Sequence, residues 1–475
     1  MAMLGKRRPP RTANERVRRE RGSAIRRDDA AADGLSIERL AHDGRGVARD
    51  PHGKTVFVDQ ALPGERVRVA VHRQRKRFDE AHVVERLATS PERSTPPCAY
   101  YGRCGGCDLQ HLDLEAQREH KRRTLDELFT RQGLTLPEIE VLAGEGLAYR
   151  RRARLGVKCD AEGTPHLGFR ARGSEHLIDI DSCVVLEPVL SRLIAPLRAC
   201  LVQLEAPRRV GHIELIATAE GACVVVRQLR EVPGDEARWR RFAAEHDVTL
   251  AWRVGRETPT LRWLHAPRGE ALHVTLALDD TTLSLGCVPG DFLQINADVN
   301  ARLVRTALAW LAPRGEERVL DLFAGVGNFT LALAPRVASI TGIEGSPAMV
   351  ERLADNARRA GLHQVGAQQA DLATQVPEVA AVDWVIMDPP RGGAEALCRA
   401  LADTPVTTLL YVSCDPAALA RDAARLVQGG YRIQRAALAD MFPHTAHLES
   451  MLLLTRDTPR GRSTSVERED HGQGP

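Results

Sequence analysis

The chain has 475 residues, of which 43% are hydrophobic and 27% are charged, and its formal net charge is +3. This composition is typical of a globular protein. The chain is too long to fold around a single hydrophobic core, so we expect two to four domains. No run approaches the roughly 18 apolar residues that a membrane helix needs, and no apolar stretch follows the basic N-terminus, which excludes a secretory signal.

The positive charge is concentrated at the N-terminus. Residues 1–27 hold ten Lys and Arg against Glu15 and Glu20, a local charge of +8 that leaves −5 for the remainder. Residues 1–34 also lack hydrophobic periodicity, so we predict a disordered basic arm. Such an arm suits a polyanionic partner such as nucleic acid, and the alternative is a solvated tail with no specific role.

Residues 35–92 contain five short strand patterns that are separated by turn signals such as Pro63-Gly64. Closely spaced short strands predict a small β-barrel. A basic run at residues 72–77 is expected in a surface loop of this barrel. The segment resembles a TRAM domain, an OB-like barrel, and the resemblance implies RNA binding. The alternative is a generic barrel with one solvated, charged loop.

A cysteine cluster opens the next region, residues 93–290. The chain lacks a secretory signal, so we expect its ten cysteines in a reducing cytoplasm, where metal binding, nucleophilic or core roles are favoured over disulfides. Cys98, Cys104 and Cys107, with two glycines between the last two, form a ligand pattern that needs a fourth ligand. His111 is the local candidate, and spacing alone does not separate zinc from an iron–sulfur cluster.

An amphipathic helix is predicted at about residues 109–131, and we expect it to pack on the C-terminal domain. The rest of the central region alternates strand-like runs with turns, an α+β pattern without evident catalytic motifs. Residues 291–457 instead alternate helices with buried strands at 319–323, 339–344, 384–388 and 409–413, which predicts a doubly wound α/β sheet. Residues 458–475 are predicted to be a disordered tail.

The first α/β strand leads into a glycine motif at residues 321–329. Gly325 and Gly327 would let the backbone approach a ligand at the carboxyl edge of the sheet, and Glu344, which ends the next strand, suits ribose hydroxyls. Thr330 replaces the third glycine of the dinucleotide motif, which argues against NAD. The alternatives are a tight strand–helix turn and a surface acid.

The glycine motif resembles the first motif of class I methyltransferases, and Glu344 matches the acid of their second motif. The resemblance implies that S-adenosylmethionine is the cofactor. Asp371, at the end of the presumed third strand, matches the residue that contacts adenine in such enzymes. The alternative for Asp371 is again a surface acid.

The fourth and fifth strands end in reactive groups. Residues 388–391 read Asp-Pro-Pro-Arg, and the arginine replaces the aromatic residue of amino-methyltransferases, which argues against N-methylation. Cys414 then follows the fifth strand at the same edge. A thiolate that adds to C6 of uracil places electron density on C5, which can accept a methyl group. We therefore expect the site to lower the Cys414 pKa; the alternative is a core cysteine.

Residues 290–296, the glycine motif and the runs 388–391, 413–416 and 441–449 together resemble the RNA uracil-C5 methyltransferase family. The resemblance implies that Cys414 is the nucleophile and that Glu449 removes the C5 proton. His447 is expected to shape the pocket. One departure is Ala324, where the family often has Cys or Gly. The residues implied to line the cofactor and base pocket are Gln294, Phe323, Asn328, Glu344 and Asp388.

The resemblance also implies a [4Fe–4S] cluster held by Cys98, Cys104, Cys107 and Cys183, with a structural or RNA-holding role. Within the family, tRNA-directed bacterial enzymes lack both the barrel and the cluster, and a shorter ribosomal branch has the cluster without the barrel. A chain with both resembles the members that methylate 23S ribosomal RNA at a uracil of the 1939 type. Uracil must be unpaired or flipped out for such attack. The alternatives are a uracil in tRNA or elsewhere in ribosomal RNA, and a non-catalytic RNA-binding assembly factor. A monomer is expected.

Overall fold

The computed structural model describes residues 34–257, 259–267, 269, 271–379 and 381–457. The predicted tail and all but the last residue of the predicted basic arm therefore lie outside the described residues. The chain divides into two compact units. Within the described part of the chain, no helix is long and apolar enough to cross a membrane.

The first unit comprises the described residues up to Pro96 and the segment Cys107–Ala116. Its six strands are β1 (Leu35–Ser36), β2 (Arg39–Leu40), β3 (Gly46–Arg49), β4 (Thr55–Asp59), β5 (Arg66–Gln74) and β6 (Phe78–Ala88). They form one sheet in the order β1-β5-β6-β4-β3-β2, in which β4 and β6 are parallel and the other neighbours antiparallel.

Buried apolar side chains alternate with more exposed ones along these strands, and the buried ones form the small core of the first unit. Val56 and Val58 of β4 point to one face and are buried, as are Val67 and Ala81 of the neighbouring strands. The predicted basic loop at 72–77 is shorter than expected, because β5 continues to Gln74 before the turn. The side chains of residues 72–77 are exposed, so they are accessible to a polyanion.

Helix α1 (Leu114–Arg131) begins five residues later than its predicted start and runs into the second unit, which comprises Pro97–Gly106 and Gln117–Pro475. The short strand β7 (Ile139–Leu142) follows it. The central elements are β8 (Arg152–Cys159), β9 (Pro165–Arg170), β10 (Leu177–Asp179), α2 (Pro188–Ser191), α3 (Ile194–Gln203), a 3-10 turn (Pro207–Arg209), β11 (Val210–Thr218), β12 (Gly221–Gln228), α4 (Pro233–His246), β13 (Thr249–Val254), β14 (Thr260–His265), β15 (Leu272–Ala277) and β16 (Thr282–Cys287).

Seven central strands form a sheet in the order β10-β9-β8-β11-β12-β13-β14, and β15 pairs with β16 in a separate hairpin. One face of the larger sheet packs against α3 and α4 through apolar residues such as Leu215, Val224, Leu201 and Trp239. This arrangement matches the α+β pattern expected from the sequence.

The C-terminal elements are α5 (Ala297–Leu311), β17 (Arg318–Leu322), α6 (Thr330–Leu333), a 3-10 turn (Ala334–Arg336), β18 (Ser339–Glu344), α7 (Pro347–Arg359), β19 (Val365–Gln369), β20 (Trp384–Met387), α8 (Glu395–Ala402), β21 (Thr408–Ser413), α9 (Pro416–Gln428), β22 (Arg432–Ala439) and β23 (Glu449–Thr455). They form an eight-stranded sheet in the order β19-β18-β17-β20-β21-β23-β22-β7. The edge strand β7 was not predicted from the sequence.

Helices cover both faces of this sheet. Buried side chains of α5, α6 and α7 pack on one face, while α1, α8 and α9 pack on the other. The strand order reverses beside β17, which is parallel to β18 on one side and to β20 on the other. In such folds ligands bind at this point, at the carboxyl ends of the strands.

Candidate active site

The loop after β17 is shaped by three residues with positive φ: Phe323 (64°), Gly325 (57°) and Gly327 (103°). Gly327 has no space for a side chain, since an added Cβ would lie 2.0 Å from Leu331 Cδ1. An added Cβ on Gly325 would instead meet nothing within 4 Å. The loop therefore turns tightly at Gly327 and leaves open space in front of Gly325.

Glu344 holds this loop in place. Its carboxylate accepts the backbone N–H of Gly325 at 3.1 Å and that of Ser346 at 3.0 Å. The predicted ribose-binding acid thus fixes the glycine loop in the ligand-free chain. Each carboxylate oxygen has a further lone pair, so these two bonds leave acceptor capacity for a ligand hydroxyl.

A cavity opens in front of the glycine loop, with about 470 Å³ of empty space that includes open solvent. Four of the six predicted cofactor and base contacts line it, namely Gln294, Phe323, Asn328 and Asp388. Glu344 contacts the lining residue Gly325. Asp371 is not among the lining residues: it is exposed, and its carboxylate accepts hydrogen bonds from Ala373 N–H and the Thr374 hydroxyl.

Two side chains that the sequence did not single out organise the wall of this cavity. Arg151 is buried, lines the cavity, and donates through Nε to the Gln294 carbonyl at 2.6 Å. Asn300 exchanges hydrogen bonds of 2.8 and 3.0 Å with Asn328. The three consecutive arginines at 150–152 are evident in the sequence, but nothing there showed that the middle one is buried.

Cys414 and Glu449 face each other at the ends of two antiparallel strands. Ser413 of β21 pairs with Ser450 of β23, so the next register position brings the thiol and the carboxylate together. Asp415 caps α9 by accepting N–H bonds from Ala417 and Ala418, which fixes the turn that carries Cys414. Glu449 is buried and Cys414 is half-buried.

The expectation of a lowered Cys414 pKa is wrong for the ligand-free chain. Burial raises the pKa of the Cys414 thiol to about 11, and the carboxylates of Glu449 and Asp388 add to the rise. Arg391 opposes it. The physical reason is that both partial burial and adjacent negative charge disfavour a thiolate.

Three carboxyl groups lie close enough to perturb one another: Asp321 and Glu449 are buried, and Asp388 is half-buried. Burial raises the pKa of Glu449 well above its ordinary value, and Asp388 adds to the rise. Burial, and then the charge of Asp321, likewise raises the pKa of Asp388. Burial raises the pKa of Asp321 to about 7, although the Thr330 hydroxyl, 2.5 Å away, opposes this by donating to it. Gln294 Nε2 donates to Asp388 at 3.2 Å.

The histidines of the 444–448 run have different surroundings. His444 is buried, and it exchanges hydrogen bonds with Gln117 of α1. The His447 ring packs edge-on against Phe442 with centroids 6.0 Å apart, and its backbone N–H donates to the Thr445 hydroxyl.

The predicted metal ligands are partly brought together. Within the second unit, Cys98, Cys104 and Cys183 are near neighbours: burial raises the pKa of the Cys104 and Cys183 thiols, and the Cys98 thiol adds to both rises. Cys107 belongs to the first unit. None of the ten cysteines, all of which lie in the described part of the chain, forms a disulfide. Among the described residues, no group of three or more His, Cys, Asp or Glu side chains is arranged to hold a metal ion.

Comparison with protein families decides the class of enzyme. Residues 113–366 and 375–457 match the family described as tRNA (Uracil-5-)-methyltransferase. The chain belongs to this family. Residues 35–84 match the TRAM domain, so the predicted TRAM domain is also confirmed.

The curated relatives of this family member extend over its whole length. A protein of Chromohalobacter salexigens, named 23S rRNA (uracil(1939)-C(5))-methyltransferase RlmD, is 98% identical over the full length of both chains. A protein of the same name from Halomonas elongata is 55% identical, covering 96% of this chain and 97% of its own.

A solved structure supports the same assignment. The Pyrococcus abyssi tRNA (uracil-54, C5)-methyltransferase, determined in complex with S-adenosyl-L-homocysteine, is 26% identical with a TM-score of 0.68, and the match covers 89% of this chain and all of that one. The predictions of a methyltransferase fold, of a uracil-C5 methyltransferase and of S-adenosylmethionine as methyl donor are thus confirmed.

Proposed function

We propose that this chain methylates C5 of a uracil in 23S ribosomal RNA, at the position numbered 1939 in the names of its relatives. The support is the 98% identity to a protein with that named activity over the whole of both chains. The exposed basic turn of the TRAM domain is proposed to contribute phosphate contacts to RNA binding.

The main support for this chemistry is that Cys414 lies opposite Glu449 in the strand register. Both Glu449 and Asp388, which lines the cavity, are close enough to Cys414 to raise its pKa. Bound S-adenosylmethionine supplies an electrophilic methyl group. The Cys414 thiolate forms a bond to C6, and the electron pair displaced to C5 forms the new carbon–carbon bond as the sulfur–methyl bond of the donor breaks, which leaves S-adenosylhomocysteine. Glu449 then takes the C5 proton, and the pair from that C–H bond expels the sulfur from C6.

The buried surroundings of Glu449 suit this role. A carboxylate whose pKa is raised by burial and by Asp388 is a stronger base than an exposed one once it is deprotonated. The raised Cys414 pKa means that the thiolate is the minor form of this side chain at neutral pH, so attack on C6 requires that the thiol proton be removed.

A tRNA uracil is the second candidate substrate. It is favoured by the described name of the family and by the tRNA-directed Pyrococcus abyssi neighbour. We place it second because that neighbour is 26% identical, against 98% for the relative named for 23S ribosomal RNA.

We further propose that Cys98, Cys104, Cys107 and Cys183 hold a [4Fe–4S] cluster. The donor chemistry fits, because three of these thiols, those of Cys98, Cys104 and Cys183, are near neighbours in the second unit and thiolates are the usual ligands of such a cluster. The cluster would stabilise this region or help to hold RNA, and it takes no part in methyl transfer.

We propose a cytoplasmic location, because ribosomal RNA is the proposed substrate and none of the ten cysteines, all in the described residues, forms a disulfide. We also propose that the chain acts as a monomer, since the proposed catalytic residues come from one chain.

The test is methylation of 23S ribosomal RNA fragments and tRNA transcripts by the purified full chain, followed by mapping of the modified base. Transfer to the 1939-type uracil, absent with Cys414→Ala, is the expected result. Methylation of tRNA alone would overturn the ribosomal assignment. Methylation by the Cys414→Ala protein would overturn the mechanism. RNA carrying 5-fluorouracil should form a stable covalent complex, because C5 then has no proton to lose.

A further inference from the structure

The segment that delivers Glu449, residues 440–448, is fastened to helix α1 by a buried ion pair. Lys121 Nζ donates to Asp440 Oδ1 at 2.7 Å and to the Phe442 carbonyl at 2.9 Å, and the Lys121 and Asp440 side chains are each 1% exposed. Arg118 Nε donates to the other carboxylate oxygen of Asp440 at 3.1 Å. Both oxygens of a buried carboxylate are thereby satisfied from one helix.

One turn earlier on α1, Gln117 holds the middle of the same segment. Its Oε1 accepts the backbone N–H of His444 at 2.8 Å, and its Nε2 lies 3.2 Å from His444 Nδ1. Because the amide oxygen must face the backbone donor, the amide nitrogen faces Nδ1, which therefore accepts and carries no proton. His444 has a φ of 65°, an uncommon backbone conformation for a residue other than glycine, which this pair of bonds helps to hold.

Other contacts hold the first half of the segment. The Asp440 N–H donates to the Leu142 carbonyl of β7 at 2.8 Å, and Tyr149 donates through its hydroxyl to the Pro443 carbonyl at 3.0 Å. Arg118 also donates to the Gly144 carbonyl at 2.6 Å. The segment is thus bonded to elements that precede the methyltransferase strands in the chain, and it ends at the first residue of β23, Glu449.

We propose that Lys121 and Gln117 are positioning residues for the C5 proton removal assigned to Glu449. This inference rests on the proposed function. The bonds of α1 end within a few residues of Glu449, and a displacement of about 1 Å of a catalytic group can lower a rate about 100-fold. The glycine loop and the cofactor cavity make none of these bonds, so their loss should impair proton removal more than cofactor binding.

The test compares Gln117→Leu and Lys121→Met with the matched control Arg122→Ala, which alters an exposed residue of the same helix that is paired with Glu119. We expect kcat for 23S fragment methylation to fall about 10- to 100-fold in both variants. The dissociation constant of S-adenosylhomocysteine should stay within about twofold of wild type. The fraction of enzyme trapped as a covalent, methylated RNA adduct should rise, since elimination is slowed after methyl transfer. The control should match wild type.

A conservative variant separates positioning from packing. Gln117→Glu keeps an acceptor for the His444 backbone N–H, and its second oxygen can accept from Nδ1–H if the imidazole changes tautomer or is protonated. We therefore expect it to recover most of the kcat lost in Gln117→Leu. The thermal unfolding midpoint of each variant is measured in parallel, and Gln117→Leu tests the inference if Lys121→Met does not fold.

The inference is overturned if folded Gln117→Leu protein keeps wild-type kcat, or if kcat falls without adduct accumulation, or if cofactor affinity falls in parallel with kcat. Inactive wild-type protein on uracil-containing RNA would instead overturn the proposed function. The two failures are therefore distinguishable.

Discussion

Glu449 lies at the first position of β23, opposite the end of β21, where Cys414 follows the last paired residue Ser413. Antiparallel pairing makes this opposition a consequence of strand register, so a one-residue slip would turn one of the two side chains to the other face. The pairing of Ser413 with Ser450 is reinforced by a hydrogen bond of 3.2 Å from the Ser450 hydroxyl to the Ser413 carbonyl. The proposed nucleophile and the proposed base are therefore aligned by backbone geometry.

Replacing Glu449 by Gln should leave methyl transfer possible but block loss of the C5 proton. We expect a covalent RNA–enzyme adduct to accumulate, seen as a band of reduced mobility in a denaturing gel, while turnover falls by at least about 100-fold. Cys414→Ala is the matched control and should form no adduct. A Glu449→Gln protein that turns over at the wild-type rate would show that another group accepts the proton.

The reactivity of the Cys414 thiol should rise steeply with pH in the ligand-free chain. Since the thiolate is the reactive form and the Cys414 pKa is about 11, alkylation of this cysteine should increase about tenfold per pH unit between roughly pH 7 and 10. The measurement is the pH dependence of iodoacetamide labelling at the peptide that contains Cys414. A midpoint near the ordinary thiol value of about 8.5 would contradict the prediction.

Variants of the carboxylates near Cys414 should change the pH at which this thiol titrates. Glu449 and Asp388 both raise the Cys414 pKa, so Glu449→Gln and Asp388→Asn should each move the alkylation midpoint to lower pH. Glu395→Gln, a change at an exposed carboxylate on α8, should leave the midpoint unchanged. Unshifted midpoints in both active-site variants would mean that burial alone sets the thiol pKa.

The sequence predicted several strands of the C-terminal sheet and the functional residues at their carboxyl ends. The strand predicted at 339–344 coincides with β18, and the ends of β17, β20 and β21 carry the glycine loop, Asp388 and Cys414 as expected. Such features are local, because each depends on a few consecutive residues. The family resemblance then added Glu449. It is far from Cys414 along the chain, so no short sequence pattern shows that the two side chains lie opposite each other.

What the sequence did not show depends on contacts between distant segments. The burial of Arg151 and its bond to Gln294, the pairing of Asn300 with Asn328, and the bonds from α1 to the Glu449 segment all join parts far apart in the chain. The direction of the Cys414 pKa shift was missed for the same reason, since it depends on burial and on two carboxylates from other strands.

Removing a proposed cluster ligand should lower the iron content of the purified protein. Cys183→Ser is expected to lose most of the bound iron and the visible absorption of an iron–sulfur cluster after anaerobic purification. Cys159→Ser is the control, because Cys159 was assigned no ligand role. Wild-type protein that binds zinc and no iron would contradict the iron–sulfur proposal but leave a metal site; protein without either metal would contradict both.

The two glycines of the cofactor loop should differ in their tolerance of a side chain. Gly327→Ala places a Cβ 2.0 Å from Leu331 Cδ1 and 2.6 Å from Leu353 Cδ1 at a φ of +103°, so both packing and backbone are strained. We expect its free energy of unfolding to fall by about 1–3 kcal/mol and its affinity for S-adenosylhomocysteine to fall clearly.

In Gly325→Ala the added Cβ meets no atom within 4 Å, so this substitution carries mainly the backbone cost of its φ of +57°. It should therefore unfold closer to wild type in denaturant titrations. Equal destabilisation by the two substitutions would show that backbone strain dominates and that the close packing of Gly327 against α6 and α7 contributes little.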